Sequence, residues 1–191
     1  MVNNMVMKPL FCFVGLSGSG KTTICEDLTK RYGMKQIPSY TTRPPRYEGE
    51  AGHTFVSDAE YNQLTNILAE NTTTGYRYCV TQEQIENPEY DLYVVDMTGL
   101  MMLENRYDGL RQIVSIFISV DLRDRYDRLR QRYYSQFCDS ETAIDQTLAR
   151  IVSDVIEFQN ADGYCQYVVK NNNGEYDRAF ENVRKIIDKY E

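Results

Sequence analysis

The chain's first apolar run is Leu10-Phe11-Cys12-Phe13-Val14, followed at once by Gly15-Leu16-Ser17-Gly18-Ser19-Gly20-Lys21-Thr22. Consecutive apolar residues that end in a glycine-rich turn are typical of a strand buried in a parallel sheet. Helix-compatible residues follow from Lys21 to Tyr32, and Gly33 is a suitable C-terminal stop. The stretch therefore predicts a strand, a loop and a helix in succession.

The loop matches the pattern G-x-x-x-x-G-K-[ST] at every fixed position, between a predicted strand and a predicted helix. Its glycines let the backbone curl so that N–H groups point at phosphate oxygens, and the helix N-terminus adds partial positive charge. Lys21 is expected to reach the β- and γ-phosphates, and the Thr22 hydroxyl to ligand Mg²⁺. The alternative is a strand-to-helix turn without a ligand, which the complete pattern disfavours. We predict a site for a nucleoside triphosphate.

Strands and helices alternate along the rest of the chain. Strands are predicted at 92–96, 113–120 and 167–169, and helices at 121–134, from Asp139 or Ser140 onwards, and at 175–190. A capping box at 57–60 predicts a helix with Tyr61, Leu64 and Leu68 on one side, and a second at 81–84 predicts a helix ended by Pro88. The stretch 38–88 is interpreted as an insertion with its own small sheet. This alternation predicts an α/β fold with three α/β/α layers and a parallel central sheet. Together with the phosphate loop, it predicts the P-loop NTPase type of this fold.

The size and composition of the chain disfavour several classes of function. The chain has 191 residues, 42% of them hydrophobic, which suits one α/β domain with an embedded subdomain. A net charge of −7 disfavours general binding to nucleic acid or to anionic membranes. Five scattered cysteines and one histidine disfavour a His/Cys metal site and indicate a reducing compartment. No segment is apolar enough to span a bilayer, so we expect a cytoplasmic protein without nucleic-acid or membrane partners.

Two other segments carry candidate chemistry. Asp96 ends a predicted buried strand, where an acid could approach Mg²⁺ through water or contact a second substrate; the alternative is a helix N-cap. The segment Ser39-Tyr40-Thr41-Thr42-Arg43-Pro44-Pro45-Arg46 carries two guanidinium groups three residues apart. They could clamp a phosphate, or they could belong to an ordinary solvated loop.

Arginines are concentrated at 123, 125, 128, 130 and 132, with Arg150 further on. Cations that close over phosphates would stabilise the charge that develops in phosphoryl transfer. For most of this group we expect instead a solvated helix face, because acids at 121, 124 and 127 provide i,i+4 partners. His53 has no paired acid nearby in the sequence, so we expect a loop residue and not a general base.

Together these residues resemble the guanylate kinase family of nucleoside monophosphate kinases, over nearly the whole chain. The resemblance is carried by the phosphate loop and by Ser39-x-Thr41-Thr42-Arg43-x-x-Arg46-x-x-Gly49-Glu50-x-x-Gly52, followed by Phe55-Val56-Ser57. The second block is more specific than a phosphate loop, and it favours the arginine clamp. The resemblance implies one domain over 1–191, with a core (8–37, 89–123 and 151–191), an acceptor-binding subdomain (about 38–88) and a helical lid (about 124–150).

The resemblance also implies roles for individual residues. The acceptor would be bound by Ser39, Arg43, Arg46, His53, Glu70, Tyr78 and Asp96, with Glu70 at the N1 and N2 edge of guanine. ATP would be bound by Gly15, Ser17, Gly18, Ser19, Gly20, Lys21, Thr22, Thr23 and Asn171, the last of these near the adenine. Catalysis would rest on Lys21, Arg43, Arg132 and Arg150. Thr22 would ligand Mg²⁺, and Asp96 could contact the same ion through water.

The chain departs from the family pattern at three places. His53 stands where tyrosine is usual, Cys79-Val80 where Gly-Thr or Gly-Ser is usual, and Val94 where an acid is usual. Val80 cannot donate to guanine O6 as the family hydroxyl does, and a lost contact of this kind can cost about 1–3 kcal/mol.

The activity implied is Mg²⁺-dependent transfer of the γ-phosphoryl group of ATP to a nucleoside monophosphate. GMP or dGMP is the first choice because Glu70 is present. One alternative is a related kinase for another nucleoside monophosphate or for a ribosyl bisphosphate. The other is a guanylate kinase-like interaction module without activity, which the intact Lys21 disfavours. We expect a monomer or a homodimer.

Overall fold

The computed structural model describes residues 7–45, 47–50, 52–73 and 75–190, with the backbone alone at 156 and 157. The elements follow in the order β1 Leu10–Val14, α1 Lys21–Tyr32, β2 Ser39–Thr41, β3 His53–Phe55, α2 Asp58–Tyr61, β4 Ile67–Thr73, β5 Tyr76–Thr81, α3 Gln82–Glu86, β6 Leu92–Val94, α4 Met97–Arg106, β7 Ile113–Ser119, α5 Leu122–Phe137, α6 Ser140–Glu157, α7 Ala161–Tyr164, β8 Tyr167–Lys170 and α8 Tyr176–Ile187. Strands and helices alternate at both ends of this order, as the sequence predicts for an α/β fold.

The strands form two four-stranded sheets, with the orders β6-β1-β7-β8 and β3-β2-β5-β4. In the first sheet β7 and β8 run parallel, with Ile116 opposite Tyr167 and Ser119 opposite Lys170. The second sheet is mixed: β2 is parallel to β3 and antiparallel to β5, which pairs antiparallel with β4. This second sheet falls within 38–88, the stretch expected to carry a small sheet of its own.

The chain divides into two compact units. Unit 1 comprises Met1–Cys12 and Cys25–Val114, and it contains the whole of the second sheet together with α2, α3 and α4. Unit 2 comprises Phe13–Ile24 and Ser115–Glu191, and it contains the phosphate loop, α5 to α8 and β8. The division into core, acceptor-binding subdomain and lid stays a prediction.

A buried arginine, Arg111, joins several segments of unit 1. Its guanidinium group donates to five backbone carbonyl oxygens, those of Lys8, Pro9, Ile85, Asn87 and Tyr90. Burial lowers the pKa of this guanidinium, but the carbonyl groups satisfy its donors. Arg111 therefore ties the chain before β1 to the turns that follow α3 and precede β6.

Unit 2 contains a helical hairpin formed by α5 and α6. Helix α5 ends at Phe137, and the C-cap residue Cys138 adopts the left-handed conformation with φ of 55°. Asp139 caps α6, because its carboxylate accepts from the Thr142 N–H at 2.7 Å. Of the two residues expected to begin this helix, Asp139 and Ser140, Asp139 is the cap. Helix α8 buries Phe180, Val183 and Ile187 on one face. Over the described ranges, no helix is both long and apolar enough to cross a membrane.

One predicted helix is wrong in its extent. The capping box at its start is formed: Ser57 N–H donates to Glu60 Oε2 at 2.7 Å, and Glu60 N–H donates to Ser57 Oγ at 3.2 Å. Helix α2 nevertheless ends at Tyr61, since Asn66 adopts a left-handed φ of 53° and β4 begins at Ile67. Leu68, expected on the helix, is buried in β4. A capping box fixes where a helix begins, but not how far it continues.

Candidate active site

The phosphate loop connects β1 to the N-terminus of α1. Lys21 Nζ donates to the carbonyl oxygens of Gly15 and, at 3.0 Å, Leu16, so the lysine side chain lies back over the loop. Gly20 has φ of 93°, and a Cβ there would collide with Asn171 Nδ2. A Cβ on Gly15 would lie 2.5 Å from the Ile118 carbonyl oxygen. Both positions therefore require glycine for steric reasons that the motif alone does not reveal.

Asn171, directly after β8, forms a hydrogen bond to the phosphate loop. Its side chain is buried at 2% exposure, and Nδ2 donates to the Ser19 carbonyl oxygen at 2.7 Å. Its backbone N–H donates to the Ser119 carbonyl oxygen at 2.9 Å. The family resemblance implies that Asn171 lies near the donor adenine, which stays a prediction. The structure adds a second role, because the asparagine links the end of the parallel sheet to the phosphate loop.

A buried carboxylate also holds the loop. Asp154 Oδ2 accepts from the Ser17 N–H at 2.8 Å and from Arg125 Nη2 at 2.6 Å. Arg125 Nε donates to the Ser17 carbonyl oxygen at 3.0 Å, and Arg150 Nε donates to Ser17 Oγ at 2.6 Å. Burial lowers the pKa of the Arg125 guanidinium, while the charge of Asp154 opposes that shift.

Arg125 corrects the expectation of a solvated helix face, because it is only 2% exposed. The expected i,i+4 partner was Asp121, but the ion pair is made with Asp154 of α6 at 2.6 Å. One signal in the sequence points to burial: Arg125 precedes Leu129 by one helical turn, and Leu129 is fully buried. Arg123 and Arg130 are exposed, as expected.

A groove of about 470 Å³ opens along the phosphate loop. It is lined by Ser17, Gly18, Gly20, Lys21, Thr22, Thr23, Arg128, Leu129, Arg132, Asn171, Asn172, Asn173, Gly174 and Tyr176. Arg128, expected on a solvated helix face, donates instead to the carbonyl oxygens of Gly18 at 3.1 Å and Asn171 at 2.9 Å. Arg132 faces the groove, so the structure brings this predicted lid arginine to the phosphate loop.

The donors available for Mg²⁺ are few and fit that ion. Within the described part of the chain, no group of three or more His, Cys, Asp or Glu side chains could hold a metal. Mg²⁺ usually keeps several waters and takes phosphate oxygens with one or two protein ligands. The exposed hydroxyl of Thr22, in the first turn of α1, suits such a site.

Unit 1 contains a separate cavity of about 290 Å³. It is lined by Ser39, His53, Ala69, Glu70, Asn71, Thr73, Tyr78, Cys79, Tyr93, Val94, Val95, Asp96 and Gly99. Five of the predicted acceptor-binding residues are thus brought together: Ser39, His53, Glu70, Tyr78 and Asp96. They come from strands β2 to β5 and from the N-terminus of α4.

Ser39, His53 and Tyr78 form one cluster in this cavity. The parallel pairing of β2 with β3 sets Ser39 opposite His53, and Ser39 Oγ lies 2.9 Å from His53 Nδ1. The His53 ring meets the Tyr78 ring edge-on, with centroids 5.7 Å apart. His53 was expected in a loop, but it begins β3, because parallel pairing with β2 extends the chain there. Two hydroxyls and an imidazole are groups that can donate to a phosphate.

Carboxylates form a second cluster in the same cavity. Asp96 caps α4 by accepting from the Gly99 N–H at 2.6 Å, and its other oxygen accepts from Asn71 Nδ2. Both interpretations of Asp96, helix cap and site residue, are therefore compatible. Glu70 Oε1 lies 3.6 Å from Arg106 Nη1 at a half-exposed position. Asn71 was missed because its partner stands 25 positions further along the chain.

Two other side chains that line this cavity, Cys79 and Tyr93, are uncharged. Burial raises the pKa of the Cys79 thiol and of the Tyr93 phenol, so both stay protonated near neutral pH. Val80 is fully buried and is not among the lining residues.

Arg43 also belongs to the predicted acceptor set, but it is not among the residues that line the cavity. Arg43 forms a buried two-point ion pair with Glu50, with N–O distances of 2.7 and 3.2 Å. The hydrogen bond to Glu50 is the main cause of a raised pKa at Arg43. Its Nε–H is buried and has no hydrogen-bond partner among the described residues. Arg46 lies outside the described residues.

Comparison with known proteins agrees with this geometry. The guanylate kinase of Neisseria meningitidis serogroup A is 30% identical over 189 residues, which cover 93% of this chain and 86% of that protein. The guanylate kinase of Nitrosomonas europaea is 29% identical over 191 residues, covering 95% and 89% respectively. The crystal structure of guanylate kinase from Anaplasma phagocytophilum matches with a TM-score of 0.63 at 18% identity, covering 96% of this chain and 86% of that one, which supports the fold. No family model matches the chain. Because the chain is similar to these relatives over nearly their whole length, it belongs to the guanylate kinase family.

Proposed function

We propose that this protein transfers the γ-phosphoryl group of ATP to a nucleoside monophosphate, with GMP or dGMP as the first choice. The observation that carries the proposal is the composition of the cavity in unit 1. Hydroxyl and imidazole groups suited to a phosphate line the same cavity as two carboxylates suited to the N–H groups of a base. A phosphate loop with its lysine supplies the matching donor site.

On the donor side, we assign phosphate binding to Lys21 and to the N–H groups of Gly18, Gly20, Thr22 and Thr23, since the N–H groups of Ser17 and Ser19 donate to Asp154 and Leu16. Arg132 and Arg150 would add positive charge where it develops in the transition state. Thr22 would ligand Mg²⁺, which neutralises phosphate charge when bound. Asp96 is the less suitable magnesium contact, because both of its carboxylate oxygens already accept hydrogen bonds.

On the acceptor side, Ser39, His53 and Tyr78 would donate to the monophosphate, which attacks the γ-phosphorus through one of its own oxygens. No protein nucleophile is required, so positioning and charge supply the rate enhancement. Arg43 would bind this phosphate only if its buried ion pair with Glu50 opens. Arg46 is proposed on the motif alone. Glu70 and Asp96 would accept from the base.

The same proposal includes the division into an acceptor-binding subdomain (about 38–88) and a lid (about 124–150). It also includes action on small nucleotides in the cytoplasm, as a monomer or a homodimer. The negative net charge of the chain supports small-molecule partners over nucleic acid.

A coupled assay of ADP release over a panel of acceptors tests the proposal. The panel contains GMP, dGMP, AMP, CMP, UMP and a ribosyl bisphosphate, each with MgATP. We expect turnover with GMP or dGMP. Turnover confined to another acceptor would refute the base assignment, and no turnover with any of them would refute the kinase assignment.

Specific observations favour a second candidate, a kinase for a different base. Among the described residues, Glu70 and Asp96 are the carboxylates that line the cavity, and Val80 presents no hydroxyl to it. A base with an amino group in place of the 6-oxo group would suit such acceptors. The AMP and CMP arms of the same panel test this alternative.

Replacing Lys21 by alanine tests the donor site. The Lys21→Ala variant is expected to lose turnover while its circular dichroism spectrum stays unchanged, because Lys21 lines the groove and is not among the buried core residues. Lys30→Ala is the matched control, since Lys30 is an exposed lysine on the same helix. Unchanged turnover in Lys21→Ala would contradict the mechanism.

A further inference from the structure

Asp154 occupies an unusual position for a carboxylate, since it is fully buried beside an anion-binding loop. Oδ2 accepts from the Ser17 N–H at 2.8 Å and from Arg125 Nη2 at 2.6 Å. Oδ1 lies 3.0 Å from Arg150 Nε. One carboxylate therefore contacts the loop and two arginines, and the group as a whole keeps a formal charge of +1 (two guanidinium groups against one carboxylate).

The two arginines are used differently. Arg125 is buried, and it donates from Nε to the Ser17 carbonyl oxygen and from Nη2 to Asp154. Arg150 contacts the described residues through Nε, which donates to Ser17 Oγ at 2.6 Å and lies 3.0 Å from Asp154 Oδ1. Its Nη1 and Nη2 atoms bond to no described residue, and its side chain is 34% exposed. Arg150 thus has a fixed inner nitrogen and two outward nitrogens that can bind an anion.

Such an arrangement restricts a flexible side chain before any ligand binds. A guanidinium group loses rotamer freedom when it binds phosphate, and one that is already fixed loses less. Position also matters in the chemical step, because a misplacement of about 1 Å can cost on the order of 100-fold in rate. A residue that fixes Arg150 would act on the transition state without touching the substrate.

We propose that Asp154 is a positioning residue for phosphoryl transfer, one that fixes Arg150 beside Ser17 so that its outer nitrogens meet the transferring phosphoryl group. This inference rests on the proposed function. In the step concerned, an oxygen of the acceptor phosphate forms a bond to the γ-phosphorus as the bond to the β–γ bridging oxygen breaks. ADP leaves with that electron pair, and the outer nitrogens of Arg150 offset charge on the equatorial oxygens.

A purely structural role for Asp154 would have a different signature. Asp154 also accepts from the Ser17 N–H, so its removal could loosen the loop and weaken ATP binding whatever residue stands at 150. A positioning role predicts instead that the effect of Asp154 depends on Arg150. Double-mutant analysis separates the two, because residues that act as a unit are not additive.

The experiment compares wild type, Asp154→Asn, Arg150→Ala and the double variant in steady-state kinetics with MgATP and the best acceptor. Asn keeps the shape of the side chain and an oxygen that can accept from Ser17 and Arg125, but it removes the charge that holds Arg150. We expect Asp154→Asn to lower kcat by about 10- to 100-fold. KM for ATP should change by less than about threefold, because the loss falls on the transition state. In the Arg150→Ala background, Asp154→Asn should lower kcat by less than about threefold.

Two further variants make the result specific. Asp145→Asn makes the same chemical change at an exposed site on α6 and is expected to leave kcat unchanged. Ser17→Ala removes the oxygen that accepts from Arg150 Nε, without changing the charge of the site. Like Asp154→Asn, Ser17→Ala should lower kcat. It provides an independent test of the proposal if Asp154→Asn does not fold.

The inference is overturned if Asp154→Asn lowers kcat by the same factor with and without Arg150. It is also overturned if the loss appears in KM for ATP alone, or if neither Asp154→Asn nor Ser17→Ala changes kcat. Failure of the proposed function is distinguishable, because wild type would then turn over no nucleoside monophosphate at all.

Discussion

Replacing Asn171 by aspartate changes one group in the connection between β8 and the phosphate loop. In the native chain Asn171 Nδ2 donates to the Ser19 carbonyl oxygen at 2.7 Å, in a side chain that is 2% exposed. An ionised carboxylate has the same shape but no donor, so two oxygens would face each other at that distance. The carbonyl would lose its partner, and a charge would be buried without compensation.

The size of the effect follows from these two losses. A buried carbonyl left unpaired costs about 1–3 kcal/mol, and an uncompensated buried charge about 3–5 kcal/mol. We therefore expect Asn171→Asp to lower the free energy of unfolding by at least about 3 kcal/mol at pH 7, or more than 100-fold in the unfolding constant. Asn171→Ala should cost about 1–3 kcal/mol, because it loses the hydrogen bond without adding charge.

The penalty should depend on pH in a defined direction. Burial raises the pKa of the introduced carboxyl above its value of about 3.9 in the unfolded chain. The folded state then binds more protons, so stability falls as pH rises from about 4 to the folded pKa and is level above it. At low pH the protonated acid can donate to Ser19, and the penalty should be smallest there.

Urea unfolding at several pH values measures the stability, and calorimetric titration with MgATP measures the affinity, which should fall at least tenfold. Asn182→Asp is the matched control, since Asn182 is exposed on α8 in the same unit. Free energies of unfolding for Asn171→Asp and Asn182→Asp that agree within about 0.5 kcal/mol would refute the reasoning.

Three other substitutions are expected to have defined outcomes. Arg111→Met leaves several buried carbonyl oxygens without a donor and should lower the free energy of unfolding by about 3–5 kcal/mol in urea, whereas the exposed Arg178→Met should change it by less than about 0.5 kcal/mol. Glu50→Gln removes one charge of a buried ion pair and should cost about 3–5 kcal/mol in the same measurement; an unchanged midpoint would contradict the buried pair with Arg43. Val80→Thr buries a hydroxyl away from the cavity, so the free energy of unfolding should fall by about 1–3 kcal/mol while KM for GMP stays within about threefold of the wild-type value. A clear gain in GMP affinity would contradict the burial of this side chain.

The parts of the fold that the sequence predicts well are those fixed by neighbouring residues. The phosphate loop, the strand before it and the helix after it depend on glycines and apolar residues that are adjacent in the chain, and all are confirmed. The cap at Asp139 is likewise a contact between residues three positions apart. The extent of α2 could not be predicted in this way, because the pairing of β4 with β5 decides where that helix must end.

Long-range polar contacts in the candidate site were not predictable, although the residues that make them are ordinary in type. Asp154 reaches Ser17 across 137 positions, and Asn71 reaches Asp96 across 25. Arg125 looks like a surface residue with local acidic partners until the packing of α5 on α6 brings Asp154 beside it. Sequence patterns indicate contacts between residues that are close along the chain. A buried charged side chain is instead paired with whichever polar residues lie near it in space.

The pairing of Ser39 with His53 has a practical consequence. His53 is the sole histidine in the sequence, and it lies in the acceptor cavity. Selective isotope labelling of histidine would therefore give one set of imidazole signals, already assigned without any mutant. Their chemical shifts would report an acceptor phosphate arriving beside Ser39 and Tyr78, and titration with each nucleotide of the panel would yield affinities without catalytic turnover. The chain thus carries its own spectroscopic probe at the acceptor site.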